Sequence, residues 1–190
     1  MSEHMALENL TVLDLTRVLA GPFCTMMLAD MGANVIKIEV PKGGDDTRSY
    51  PPFRAKNLNG ERESVYFANI NRNKKGITLN LKAPEGKEIF KELVKKADIV
   101  VENYRPGVMD KLGLGYDVLK EINPRIIYAA VSGFGCYGPY HLRPGYDILA
   151  QAMGGMMSIT GSKGGEPTRA GSALGDILGG LHVTIGTVSY

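Results

Sequence analysis

Cysteine and histidine are scarce in this 190-residue chain, which holds two of the former and three of the latter. Cys24 and Cys136 stand far apart, with no Cys-x-x-Cys pair and no histidine placed to complete a metal site. No metal is expected, and the thiols read as small packing groups in a reduced, cytoplasmic compartment. Neither sign of charge is in excess: 22 basic and 20 acidic residues mix along the chain and leave a net charge of +2. That excludes a long nucleic-acid face and confines any anion site to a local cluster. No unbroken apolar run is long enough to cross a bilayer, and the start lacks a charged segment followed by a long apolar core, so no membrane partner is expected. Internal repeats and low-complexity tracts are also missing. So is the serine-hydrolase elbow, because Gly171-Ser172 has the wrong spacing and Ser132 lies in Val-Ser-Gly-Phe-Gly.

What is present suffices for one domain with a substantial core, since 44% of the residues are hydrophobic. Thr11 to Leu15 alternates as a strand, Pro22 suits the first turn of a helix carried by Phe23 to Met31, and Gly32 closes it. Asn34 to Val40 is the next strand, completing a βαβ unit. Lys42 to Gly60 is a long loop of the kind that is more often functional than idle. Gly76 to Lys82 is a third strand, Ala83 to Lys96 a helix, and Asp98 to Glu102 a buried strand. Short helices fit Val108 to Leu112 and Asp117 to Ile122, followed by a strand from Arg125 to Ser132. Helices are then expected from Tyr146 to Met153 and around Ile177 to Tyr190. The alternation predicts an α/β, Rossmann-like fold with a mainly parallel sheet flanked by helices.

Asp176 is the only charged group between Arg169 and His182, in an apolar, glycine-rich run. A carboxylate there is costly unless hydrogen-bonded or chemically employed, so it is either the N-cap of the last helix or a catalytic group. Gly179 and Gly180 follow one turn later and either leave space over that carboxylate or let two helices pack closely. His182, six residues on, falls on another helix face and is a poor partner. In the first βαβ unit, Glu39 ends a strand where a ribose-binding acid can sit. The turn Thr16-Arg-Val-Leu-Ala-Gly-Pro lacks the Gly-x-Gly-x-x-Gly spacing, which argues against a nicotinamide dehydrogenase and leaves a related adenine-nucleotide ligand open. Asn71-Arg-Asn-Lys-Lys-Gly sets three cations before a strand, to meet phosphates or as a solvated turn. Glu102-Asn-Tyr-Arg-Pro-Gly combines an amide, an aromatic face and a guanidinium, a mixture suited to adenine and its phosphates.

These motifs have a joint resemblance. Val12-Leu-Asp-Leu-Thr-Arg-Val-Leu-Ala-Gly-Pro, Leu28-Ala-Asp-Met-Gly-Ala-Asn-Val-Ile-Lys-Ile-Glu, Asn71-Arg-Asn-Lys-Lys-Gly, Ala97-Asp-Ile-Val-Val-Glu-Asn-Tyr-Arg-Pro-Gly, Gly145-Tyr-Asp with Gln151-Ala-Met-Gly-Gly-Met-Met, and Gly175-Asp176 run through nearly the whole chain. Together they resemble the class III CoA-transferases, the family of formyl-CoA, carnitine and bile-acid CoA-transferases. The resemblance implies an enzyme that moves CoA from an acyl-CoA to a carboxylic acid, with Asp176 as nucleophile passing through acyl-anhydride and aspartyl-CoA thioester intermediates. It further implies CoA contacts at Leu19 and Ala20, at Asn80 and Lys82 on the third strand, at Asn103, Tyr104 and Arg105, at Lys111, and at Arg143 with Tyr146. Asp147 resembles an acid that helps organise the site. Val40 departs from the family members that place an arginine there. Tyr146 stands where the related α-methylacyl-CoA racemases carry a catalytic histidine, which favours transfer over racemisation. Family members are about twice as long, as a chain with a second domain would be, and form interlocked homodimers. The resemblance therefore places residues 1–190 as the N-terminal CoA-binding part, needing a C-terminal half or a second copy. The alternative is a non-catalytic CoA-binding or assembly module.

Overall fold

The computed structural model describes residues 4–56, 60 and 62–190. Five strands form one parallel sheet in the order β3-β2-β1-β4-β5: β1 Thr11–Asp14, β2 Asn34–Glu39, β3 Lys75–Thr78, β4 Ile99–Glu102 and β5 Ile127–Ala130. Val12, Leu13, Ile99, Val100 and Val101 are fully buried, as befits strands covered on both faces. One face carries α1 (Ala20–Asp30) and α7 (Leu174–Val188), and the other packs against α3 (Pro84–Val94), α4 (Val108–Lys111) and α5 (Tyr116–Ile122). Two apolar clusters result, one around Phe90, Leu114 and Leu119, the other around Cys24, Leu28 and Val35. Among the described residues, no helix is long and apolar enough to cross a membrane.

Several element limits differ from the sequence reading. β3 ends at Thr78, so Asn80 and Lys82 lie in the β3–α3 connection rather than on the strand. The Asn80 side chain accepts the Lys82 N–H there, a local turn that stops the ladder. The predicted loop from Lys42 to Gly60 contains a 3₁₀ turn at Asp46–Ser49, and its residues 57–59 lie outside the described residues. A short helix, α2 (Val65–Ile70), follows unannounced, capped by the Ser64 hydroxyl accepting from Phe67 N. Gly32, with φ at +103°, closes α1 as expected.

Buried charge holds the sheet's carboxyl-end loops. Asp14, closing β1, is fully buried and accepts from Thr16, Thr25 and Lys74 Nζ, the last at 3.0 Å. Burial would raise its pKa, but Lys74, Lys37 and the hydroxyls outweigh it and hold the carboxyl below its usual range. Lys37 in β2 is also buried and donates to Thr16 O and to Asp45. Of the cations in Asn71 to Gly76 only Lys74 leaves the solvated turn, buried against Asp14; Arg72 and Lys75 stay exposed, Arg72 paired with Asp30 and Lys75 donating to Asn34 Oδ1. Glu39 is likewise spent, on a bidentate Arg48 guanidinium and the Asp45 N–H, so it is not a ribose acceptor.

Glu102, ending β4, is buried among weaker partners, Tyr104 N at 2.6 Å and Tyr128 OH at 3.3 Å. Burial pushes its carboxyl up to about 7, against an ordinary value of 4.5. A carboxyl raised on folding stabilises the protein fully below its ordinary pKa, and that contribution is lost as pH rises through the folded value. Glu102→Gln keeps an acceptor for Tyr104 and offers a donor to Tyr128. The variant should be more stable than wild type above pH ~7, by about 2–3 kcal/mol, with the advantage gone below pH ~5. Urea midpoints measured across that range check it.

Candidate active site

The chain order turns back between β1 and β4, and in open parallel sheets ligands bind beyond the carboxyl ends at such a switch point. A cleft of about 800 Å³ lies there. Its floor comes from Arg17 to Ala20 after β1 and Asn103 to Pro106 after β4, with Val131 to Phe134 after β5. The far wall is Arg143 to Tyr146, Leu149, Ala150 and Met153, completed by Gly175, Asp176 and Gly179 from the start of α7.

Asp176 sits in the first turn of α7, three residues past its capping position at Ala173, so the N-cap reading is overturned. Among the described residues its carboxylate has no hydrogen-bond or ion-pair partner, while burial, and then the charge of Asp147, raise its pKa. The carboxylate is thus half-buried and uncommitted among the described residues, a state compatible with a nucleophile. What positions it is a network from α6 (Asp147–Met153). Asp147 Oδ1 accepts the Gly175 N–H at 2.8 Å, and its Oδ2 accepts from Gln151 Nε2 at 2.8 Å. Gln151, almost fully buried, also accepts from Ala170 N and donates to Ser172 O. One orphan donor of the α7 N-terminus is satisfied this way, next to the candidate nucleophile. The two glycines divide their expected roles. Gly179 lines the cleft with open space where a Cβ would stand, whereas a Cβ on Gly180 would come within 2.4 Å of Ala20 O, so Gly180 lets α7 close on α1. His182 is exposed, its Nδ1 2.7 Å from Leu178 O, and takes no part.

Leu19, Ala20, Asn103, Tyr104, Arg105, Arg143 and Tyr146 meet Asp176 around this cleft. Asn80, Lys82 and Lys111 are exposed outside its wall. Arg143 stacks over the Tyr140 ring at 4.1 Å, and Arg105 has no pairing partner among the described residues. Sequence reasoning missed one cleft residue, Arg17, and did not single out Tyr66, which lies outside the cleft lining. Arg17 lines the cleft, half-exposed, with a guanidinium nitrogen 2.5 Å from Asp46. Tyr66 of α2 packs edge-on to Tyr50, and its phenol is raised by burial and by the negative field of Asp176. A motif scan offers no signal for Tyr66, because its neighbourhood exists only once α2 folds back.

The sequence profile of CoA-transferase family III matches residues 7–189. The chain belongs to that family. Among relatives of this family III chain is the succinyl-CoA:glutarate CoA-transferase of Homo sapiens, 49% identical over 96% of the chain and 40% of the relative. The acetyl-CoA:oxalate CoA-transferase of Acetobacter aceti is 50% identical over 96% of the chain and 46% of the relative. A CAIB/BAIF family protein from Brucella suis superimposes with a TM-score of 0.93 at 45% identity, over 98% of the chain and 49% of that structure. The family III chain spans less than half the length of these relatives.

Proposed function

We propose that this chain supplies the CoA-binding part and the nucleophile of a CoA-transferase acting on a short dicarboxylic acid. The observation that carries the reading is the half-buried Asp176 carboxylate, without a partner among the described residues, in the wall of a cleft that opens at the sheet's switch point. The acceptor class is taken from the relatives, whose names carry glutarate and oxalate.

Asp176 attacks the thioester carbonyl of the acyl-CoA donor. The C–S bond breaks, the CoA thiolate leaves, and a mixed anhydride remains on the enzyme. The thiolate then attacks the Asp176 carbonyl, releasing the donor acid and leaving an aspartyl-CoA thioester. An acceptor carboxylate displaces the thiolate to give a second anhydride, and attack on the acceptor's carbonyl yields the new acyl-CoA and frees Asp176. No net proton is needed, which suits a site without a paired acid and base. Water would hydrolyse every intermediate, so an apolar, glycine-lined wall protects the cycle. Leu19 and Ala20 flank the pantetheine end, Tyr104 offers a ring to adenine, and Arg105 and Arg143 meet the phosphates, with Asn80, Lys82 and Lys111 available to parts of CoA beyond the cleft. The exposed Ile148, Met153, Leu178 and Ile185 suit burial against a C-terminal half or a second copy of the chain.

The test is incubation with succinyl-CoA, acid quenching and peptide mass spectrometry, followed by transfer assays with glutarate, oxalate and monocarboxylates of matched length. A CoA adduct on the Asp176 peptide and faster transfer to the dicarboxylates are expected. A folded protein that binds CoA yet gives neither adduct nor transfer would instead be a non-catalytic binding module.

A further inference from the structure

Residues Thr16 to Val18 form the stretch of cleft floor between β1 and α1, and their main chain is held almost entirely by side chains. Thr16 N donates to Asp14, and Thr16 O accepts from the buried Lys37. Arg17 N donates to Asn103 Oδ1 at 2.8 Å, while Arg17 O accepts from Asn103 Nδ2 at 2.7 Å. Val18 N donates to Asp45 Oδ1 at 3.3 Å, and Asp45 is fixed in turn by Lys37 and Thr47. Among the described residues, none of these five groups makes a main-chain bond. Within this arrangement Val18 has a φ of +67°, a left-handed conformation that a β-branched residue resists. Such an outlier persists only where its surroundings over-determine it, and here the next two residues, Leu19 and Ala20, line the same cleft as Asp176.

We infer that Asn103 is a positioning residue, which shapes the CoA cleft by clamping the Arg17 peptide groups and so holding the Val18 turn, rather than by touching CoA with its own amide. The inference rests on the CoA-binding reading above. Both ends of the amide are engaged by Arg17, at distances typical of well-formed hydrogen bonds. The clamp also ties the loop after β4 to the loop after β1, the two strands that flank the switch point. On this inference Asn103 belongs to the construction of the cleft floor, whereas the resemblance gives it, with Tyr104 and Arg105, to the ligand.

Glycine tolerates positive φ, so Val18→Gly lets the turn persist without the clamp. That makes a double-mutant test decisive. CoA affinity by calorimetry should fall about 10-fold in Asn103→Ala and return to within about 3-fold of the Val18→Gly parent in the double variant. A double variant as weak as Asn103→Ala would mean that the amide contacts CoA itself. A lower melting temperature with unchanged affinity in Asn103→Ala would mean a merely structural role. Either result overturns the inference. Amide exchange supplies an arm independent of CoA: the Val18 N–H, which Asp45 holds, should exchange faster in Asn103→Ala although its own partner is intact. Unchanged exchange there overturns the inference even if the chain takes up no CoA, an outcome that by itself removes only the functional reading.

Discussion

Replacing Asp176 by asparagine is expected to abolish the proposed transfer, lowering kcat on the order of 10⁴-fold or more while CoA affinity changes only a few-fold. The amide has the carboxylate's size, so Gly175, Gly179 and the α1–α7 contact keep their places, but it cannot form the anhydride. Loss of kcat with little change in CoA binding separates this from a damaged site, and disappearance of the CoA adduct confirms the cause. The wild-type pH profile adds a second check. Burial and the nearby Asp147 raise the Asp176 carboxyl, so the reactive anion is lost on acidification at a pH above the ordinary aspartate range. Substantial turnover by the folded Asp176→Asn protein would remove Asp176 from the chemistry.

The second large effect is on stability. Lys74→Met leaves the Asp14 carboxylate fully buried without its nearest cation and destabilises the protein on the order of 3–5 kcal/mol at neutral pH. Asp14 is a group whose folded pKa is depressed, so its contribution is present above its ordinary value of 3.8 and lost as pH falls through the folded one. Removing Lys74 raises that folded value. The gap between wild type and variant should therefore narrow towards acid, as Asp14 takes up a proton in the variant while it stays ionised in wild type. Asp14→Asn combined with Lys74→Met should recover much of the loss, because no charge is then stranded. Denaturant titrations at pH 7 and pH 4 test both statements, and a variant as stable as wild type at pH 7 contradicts them.

The relation between sequence and site differs from residue to residue. Asp176 stood out because a lone carboxylate in a glycine-rich apolar run is a local anomaly, visible without a fold. Asn103 also stood out, as part of a polar group ending a buried strand, but its partner is Arg17, 86 positions away. Nothing local distinguishes an amide that meets a ligand from one that clamps a peptide. Lys74 is the sharpest instance: among consecutive polar residues it reads as solvated, yet the order β3-β2-β1 brings it to Asp14, 60 positions earlier. Glu39 reads as a strand-end acid open to a ligand, and only the return of Arg48 uses it up.

Strand and helix periodicity, the breaks at Gly32 and after Glu102, and the alternation of β and α were sufficient by themselves for the parallel α/β fold, because each is set by side-chain spacing within a few residues. The motifs likewise placed Asp176 and the arginines in one family pattern. The position of the cleft, the Asp147–Gln151 hold on the α7 start, the strained Val18 turn and the fate of every buried charge were decided by tertiary structure alone. They depend on which strand ends become neighbours and on whether a charged group finds its counter-charge before water is excluded, and those distances exist only after the chain has closed.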